Sequence, residues 1–151
     1  MADIICISPV DGREVARKVT ASGSEIEAAI AAARKAQAEW ARVPVVERAK
    51  LCSAAVDAML AMRPEIGPEL SWQMGRPVKY AGGELGGFEE RARYMIGIAE
   101  EALAPLVPSP KDGFKRYVRH DPAGIVLTVA PWNYPYLTAV NTVIPALMAG
   151  N

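Results

Sequence analysis

The five residues Pro131, Trp132, Asn133, Tyr134 and Pro135 form the stretch of this sequence whose residue types best fit a chemical role. The two prolines restrict the backbone on either side and could hold the amide of Asn133 in a fixed orientation. An amide NH2 held in this way can donate a hydrogen bond to an oxyanion that develops during a reaction. Local physics leaves an alternative equally open, in which Asn133 caps the next helix and Trp132 fills a gap.

This loop lies between two predicted elements. The run IVLTVA is β-rich with almost no polar interruption, which predicts a strand buried on both faces over residues 124–129. The segment YLTAVNTVIPALMAG has a helical pattern that ends at Gly150. Strand, loop and helix together predict the first half of a βαβ unit. Open α/β sheets usually bind ligands at the carboxyl ends of their strands, so the loop is expected in such a crevice.

Upstream of these elements, the sequence predicts a hairpin and a capped helix. In ICISPVDGREVARKV, proline and Asp-Gly at residues 9–12 favour a turn between two strand-like segments. Ser24 and Glu27 match a capping box, and apolar residues then recur at helical spacing. The first helix is therefore predicted over residues 25–41.

Three further helices are predicted before the loop. Pro44 suits the first turn of a second helix, which should end near Arg63. The segment PEIGPELSWQMG predicts a third helix that stops at Gly75, with a delayed start or kink at Gly67 and Pro68 because proline lacks the helical donor. A long helix follows, and its apolar stripe indicates packing: Phe88, Ala92, Met95, Ala99 and Leu103. The next segment, FKRYVRH, has strand-like residues.

Composition and charge narrow the classes of function. The chain has 151 residues, of which 51% are apolar, and 17 basic side chains balance 17 acidic ones. This length fits one domain, and the balance of charge gives no reason to expect a nucleic acid or an anionic membrane as partner. No apolar run is long enough to cross a bilayer, and MADIICISPVDG lacks the basic region and cleavage site of a leader. We therefore expect a cytoplasmic protein.

The cysteines do not form a recognisable reactive or metal-binding motif. Cys6 and Cys52 lack CxxC spacing, and His120 is the only histidine, so no metal site or disulfide framework is expected. Both cysteines lie in apolar patterns, which favours buried structural thiols over nucleophiles. The loop has no GxGxxG or GxxxxGK[ST] either, so these residues alone do not identify a ligand.

The motif TVAPWNYP, followed by NTVIPALMAGN, resembles the Pro-Trp-Asn-aromatic-Pro segment and the next helix of the aldehyde dehydrogenase superfamily. The resemblance extends backwards in collinear order through DPAGIVLTVAPWN, SWQMGRP, EIEAAIAAARKAQAEW and SPVDG. It implies an α/β fold, in which a hairpin and helical N-terminal segment lead into the first strand and helix of a Rossmann-like cofactor domain. Residues 1–151 would be the incomplete N-terminal part of that domain, and the catalytic domain would be absent from the chain.

The resemblance also implies a reaction, the oxidation of an aldehyde to a carboxylic acid. In the family, a cysteine attacks the aldehyde, hydride passes to NAD or NADP, and water assisted by a glutamate releases the acid. At the matching position, Asn133 would donate to the oxyanion. The residues that would border the nicotinamide half of the cofactor are Val129, Ala130, Pro131 and Trp132.

The helix after the loop would supply the substrate wall. Tyr134, Thr138 and Asn141 would face the aldehyde, which suits their i, i+4, i+7 spacing on one helical face. Neither Cys6 nor Cys52 lies in a context that matches the family's nucleophile. The chain alone is therefore expected to be inactive. It would be one part of a full-length enzyme, and that enzyme is expected to form a homo-oligomer. An alternative is a short, non-catalytic assembly or binding module derived from the same fold.

Overall fold

A computed structural model describes residues 3–151 and has an α/β fold. Within these residues, an antiparallel two-stranded hairpin is followed by five helices. The elements are β1 (Asp3–Ile7), β2 (Glu14–Val19), α1 (Gly23–Trp40), α2 (Val45–Ala61), α3 (Arg63–Met74), α4 (Val78–Ala102) and α5 (Pro135–Met148). The predicted hairpin and helices are confirmed. In the described part of the chain, none of the helices has the length and apolar character needed to cross a membrane.

Helix α1 begins earlier than predicted because a different serine caps it. The backbone N–H of Glu25 donates to Oγ of Ser22 at 3.3 Å, and the Ser22 N–H donates to the Glu25 carboxylate at 2.7 Å. The predicted capping box of Ser24 and Glu27 is therefore wrong, although both pairs have the same spacing. The Ser22 backbone N–H and then its hydroxyl hold the pKa of Glu25 below its ordinary value.

Helix α3 runs from Arg63 to its predicted end without the delayed start expected at Gly67 and Pro68. Pro68 is the sixth of the twelve helical residues, and its missing N–H leaves the carbonyl of Pro64, in the first turn, without its usual helical donor. The helix ends at Gly75, which has a φ of 79° as the left-handed C-cap.

The main core lies where α2 and α5 pack against α4. Its buried residues are Cys52, Val56, Ala92, Ala99, Val140, Ile144 and Met148. The predicted stripe along α4 is confirmed, because its two alanines are buried and its larger side chains pack around them. A second cluster joins α3 to the beginning of α4 through Ile66, Leu70, Ala81 and Leu85. This cluster also packs against Tyr136, close to the beginning of α5.

The predicted buried strand over residues 124–129 is wrong. Within residues 3–151 only the hairpin forms a sheet, and Leu127 and Val129 are 86% and 84% exposed. A strand buried on both faces needs neighbouring strands for its backbone and a covering layer for its side chains. The described residues supply neither beside this run. The expected sheet crevice around the loop is therefore not formed in this structure.

The strand-like segment FKRYVRH also forms no strand. Leu106 and Val118 make one isolated antiparallel bridge, with N–H to carbonyl distances of 2.9 and 2.8 Å. Lys111 and Phe114 make a second bridge. Because these bridges do not extend into a ladder, the connection from α4 to the PWNYP loop is largely irregular.

Candidate active site

Helix α5 begins at Pro135, the last residue of the PWNYP segment, and a carboxylate from α4 binds its first turn. The N–H groups of Tyr136 and Leu137 donate to Oε1 of Glu84 at 2.8 and 3.2 Å. The N–H of Thr138 donates to the carbonyl of Tyr134, the N-cap residue, at 3.0 Å. The first helical residue is a proline and has no N–H. Residues 135–138 of the first turn are thus accounted for without a side chain from the loop.

The alternative role for Asn133, as a helix cap, is therefore wrong. Tyr134 occupies the N-cap position and makes no side-chain cap hydrogen bond. Asn133 is exposed, and its side-chain amide has no hydrogen-bond partner among residues 3–151. Trp132 does not fill a gap either, because it is 76% exposed. The amide of Asn133 is thus available to a ligand.

Arg76 holds the backbone of the same loop. Its Nη1 donates to Oε2 of Glu84, and its Nη2 donates to the backbone carbonyl of Asn133. The guanidinium carbon also lies 4.4 Å from the centre of the Tyr134 ring, a cation-π contact. Arg76 therefore binds two consecutive loop residues while it pairs with the carboxylate that caps α5.

Local sequence explains how Arg76 and Glu84 reach the loop. Gly75 ends α3 with a positive φ, and Pro77 caps α4, so Arg76 lies in the tight turn between the two helices. The hairpin supports this turn, because a Cβ on Gly75 would lie 3.0 Å from Cγ of Pro9. Glu84 lies on the buried face of α4, next to the fully buried Leu85. Its negative charge also suits the positive N-terminal end of the α5 dipole.

Glu84 is fully buried, and each of its oxygens is bound. A buried carboxylate is costly unless hydrogen bonds and an opposite charge compensate for the loss of water. Here two backbone amides bind one oxygen, and the nearly buried guanidinium of Arg76 binds the other. Charge-assisted hydrogen bonds of this kind are stronger and more directional than neutral ones. The arrangement therefore fixes the loop relative to α4.

The residues predicted to border the cofactor form one exposed stretch before Asn133. Val129 and Trp132 are strongly exposed, and the two residues between them are exposed as well. The stretch carries no charge and presents large apolar side chains beside the available amide. The stretch therefore offers no charged side chain to a phosphate group.

The residues predicted to form the substrate wall differ in their surroundings. Tyr134 is 47% exposed against Arg76, and Thr138 is half-buried one turn later. Asn141 is exposed, but its Nδ2 donates to the Leu137 carbonyl and its Oδ1 accepts from Arg91, both at 3.2 Å. Tyr134 and Thr138 therefore remain adjacent to the loop with their hydroxyls available, whereas the amide of Asn141 is already bonded.

Arg76 and Glu84 are site residues that were not predicted from the sequence. Arg76 lies in SWQMGRP, which carries the family resemblance but contains no local sign of its partner. Glu84 was detectable in principle, because it lies between Ala81 and Leu85 on the apolar side of α4. A charged residue on such a face needs a buried partner.

The two cysteines differ in burial. Cys52 is 3% exposed, as predicted, and burial raises the pKa of its thiol, an effect that the nearby charge of Arg48 partly opposes. Cys6 is only half-buried, and its thiol donates to the Gln73 carbonyl at 3.7 Å. The predicted burial therefore holds for Cys52 alone, because the hairpin that carries Cys6 is covered on part of its surface only.

Comparison with known proteins identifies the family. The model of the aldehyde dehydrogenase family matches residues 2–151. The chain belongs to the aldehyde dehydrogenase family. A curated family member, the 3,6-anhydro-alpha-L-galactose dehydrogenase of Streptomyces coelicolor, is 34% identical over 145 residues. That match covers 96% of this chain and 29% of the Streptomyces protein.

Solved structures of similar proteins agree with the fold. The NADP-dependent glyceraldehyde-3-phosphate dehydrogenase of Bacillus halodurans C-125, complexed with NADP, superimposes with a TM-score of 0.89 at 29% identity. The NAD-dependent benzaldehyde dehydrogenase of Corynebacterium glutamicum gives the same two values. Each comparison covers 99% of this chain and 33% of the other. The chain thus spans about a third of the length of the family members it matches.

Proposed function

We propose that this chain supplies the oxyanion-donor segment of an NAD(P)-dependent aldehyde dehydrogenase, which oxidises an aldehyde to a carboxylic acid. One observation carries the proposal: Arg76 binds the backbone of Asn133, while the side-chain amide of Asn133 is exposed and unbonded. An amide that extends from a backbone held in this way can stabilise negative charge that develops on the aldehyde oxygen. In this proposal, residues 1–151 are the incomplete N-terminal part of the cofactor-binding domain, and the catalytic domain lies outside the chain.

The residues around Asn133 divide between cofactor and substrate. When bound, NAD or NADP accepts the hydride. Val129 and Trp132, with the two residues between them, border the nicotinamide, which suits their uncharged and exposed surface. Tyr134, Thr138 and Asn141 face the aldehyde. The first two offer hydroxyl groups beside the oxyanion donor, which favours aldehydes that carry polar groups.

The chain alone has no nucleophile in this proposal. Cys52 is buried, and its raised pKa disfavours the thiolate that would attack an aldehyde. Cys6 lies on the hairpin, and its thiol binds the Gln73 carbonyl. The complete gene product would therefore be required for turnover, and we expect it to be a cytoplasmic homo-oligomer.

A second candidate function, a non-catalytic assembly or binding module, is favoured by the apolar surface next to the loop. Leu127 and Val129 are almost fully exposed, and Trp40, Ile125 and Val143 line an apolar groove nearby. Contiguous exposed apolar surface can mark an interaction site. In this alternative, the family fold serves association only.

One experiment separates the two functions. The complete gene product and residues 1–151 are purified separately, and a panel of polar and apolar aldehydes is added with NAD or NADP. We expect NADH or NADPH formation from the complete product and none from residues 1–151. Light scattering after size-exclusion chromatography measures the assembly of both proteins. A complete product that associates but oxidises no aldehyde in the panel would favour the module.

A further inference from the structure

We infer that Arg76 and Glu84 are positioning residues for Asn133, an inference that rests on the proposed function. We call these two residues the anchor pair. They come from the turn before α4 and from α4 itself, and they contact the loop and the first turn of α5 through three hydrogen bonds and one cation-π contact. The anchor pair therefore holds the backbone from which the Asn133 side chain extends.

The contact of Glu84 fixes the end of the loop. Its Oε1 accepts the N–H groups of Tyr136 and Leu137, which follow Asn133 within one helical turn. Because α5 has no side-chain cap of its own, this carboxylate is the group that holds its first turn. Loss of the carboxylate would leave two amides of that turn without a protein partner.

The contact of Arg76 fixes Asn133 itself. One nitrogen of the planar guanidinium binds Glu84 and a second binds the Asn133 carbonyl, while its central carbon lies 4.4 Å from the centre of the Tyr134 ring. Rotation of the Asn133 peptide would break the second bond, so the guanidinium limits that motion. A lysine could keep the charge beside Glu84 but not the forked and stacked geometry. A small displacement of a catalytic group can cost much of its effect on rate.

Arg76→Lys and Glu84→Gln test the pair in different ways. Lysine keeps a positive charge near Glu84 but loses the fork that also reaches Asn133. Glutamine keeps an oxygen for the amides of Tyr136 and Leu137, but its NH2 group faces the NH2 groups of Arg76. Arg93→Lys is the matched control, because Arg93 lies on α4 and its ion pairs are with exposed Asp57 and half-buried Glu89, away from the loop.

The measurements are made on the complete gene product. We expect both anchor-pair variants to lower kcat by about tenfold, with the Kd for NAD or NADP changed by less than about twofold. Arg93→Lys should leave kcat within about twofold. Hydrogen exchange of residues 131–138 should rise in Arg76→Lys but not in Arg93→Lys, since only the first loosens the loop.

A double substitution separates positioning from a general structural role. If Arg76 acts through Asn133, Arg76→Lys should lower kcat by less than about twofold when it is added to Asn133→Ala. A purely structural effect would lower kcat by the same factor in both backgrounds, which would overturn the inference. Unchanged kcat in both single variants would overturn it as well.

Failure of the proposed function can be distinguished from failure of the positioning role. If the wild-type product oxidises no aldehyde, the proposed function fails and the positioning role fails with it. Hydrogen exchange then still reports whether the anchor pair holds the loop. If the wild type is active while exchange and kcat are both unaffected by Arg76→Lys and Glu84→Gln, the proposed function stands and the anchor pair has no role in it.

Discussion

Side chains from other helices bind helix α5 at both of its ends, with opposite chemistry. A carboxylate accepts from the N-terminal amides, whereas side-chain N–H groups donate to the C-terminal carbonyls. Those donors are Gln37 to Gly150 at 3.0 Å, Trp40 to Leu147 at 2.9 Å and Arg48 to Met148 at 3.1 Å. Both sets of contacts match the helix dipole and satisfy groups that a helix leaves unpaired at its ends.

The two ends differ in what lies beyond them. At the C-terminal end, Gly150 has a φ of 89° and forms a Schellman motif, in which the Asn151 N–H donates to Ala146 and the Gly150 N–H to Leu147, both at 3.0 Å. The side chain of Asn151 then accepts from Gly124 at 2.8 Å. The polar groups at this end are thus bonded to one another. At the N-terminal end the backbone is bonded, but the amide of Asn133 is not. The C-terminal end is thus closed by mutual hydrogen bonds, whereas the N-terminal end presents an unbonded amide.

The largest predicted effect tests the N-terminal end. Asn133→Ala in the complete gene product should lower kcat about a hundredfold to a thousandfold for all aldehydes, or about 3 to 4 kcal/mol, because the oxyanion loses its donor. Its free energy of unfolding should change by less than about 0.5 kcal/mol, since the side chain is exposed and unbonded. Steady-state kinetics and denaturant unfolding measure the two quantities. A loss of kcat below about threefold would remove Asn133 from the chemistry.

The second effect tests the C-terminal end. Arg48 is 6% exposed, and it donates to Met148 and to the Val43 carbonyl at 2.7 Å. Arg48→Met should therefore lower the free energy of unfolding by about 2 to 3 kcal/mol, because two carbonyls lose their donor in a buried region. The kcat of the folded fraction should stay within about threefold.

Lys50→Met is the control for this substitution. Lys50 lies on the same helix, and its ion pair with Glu47 is exposed, so the expected change is below about 0.5 kcal/mol. Denaturant unfolding of both variants checks the comparison. Equal stability losses in the two variants would mean that the C-terminal contacts of α5 contribute little to stability.

The contacts at both ends also show what could be predicted from the sequence. The hairpin turn, the helices and the cap glycines follow from interactions within a few residues, so their patterns are visible in the chain itself. The anchor pair joins residues that are far apart: Glu84 and Tyr136 are 52 positions apart, and Arg76 and Asn133 are 57 apart. No local pattern encodes such a contact. Asn133 was identified through its family motif, but Arg76 and Glu84, which hold the loop around it, were not.

The error at residues 124–129 has a related cause. An uninterrupted apolar run indicates that a segment is buried once neighbouring strands cover it, but it does not say where those strands are. In the described part of the chain, the hairpin lies elsewhere and pairs only with itself. Periodicity therefore predicted helices correctly, since their hydrogen bonds are internal, and failed for a strand that depends on distant partners.

A smaller predicted effect, on substrate preference, tests whether the substrate wall extends along α5 to Thr138. Thr138→Leu should shift the ratio of kcat/KM between polar and apolar aldehydes by about tenfold in favour of the apolar ones, since a hydroxyl is replaced by a larger apolar group. Thr142→Leu is the control, because Thr142 is exposed one turn further along α5. An unchanged ranking in folded Thr138→Leu enzyme would exclude Thr138 from the substrate wall and leave the role of Asn133 intact.

The smallest predicted effect concerns the pH dependence of the N-terminal end. Burial raises the pKa of Tyr136 above its ordinary value of 10.0, and the negative charges of Glu69 and Glu84 raise it further. The folded state therefore keeps this proton to a higher pH than the unfolded chain does. The resulting stability is fully present below about pH 10 and is lost as the pH rises through the folded pKa.

Tyr136→Phe keeps the ring but cannot ionise, so its free energy of unfolding should fall less steeply than that of the wild type above about pH 10. Denaturant unfolding of both proteins between about pH 8 and 11 measures the difference, and parallel curves over that range would show that Tyr136 does not couple the beginning of α5 to pH.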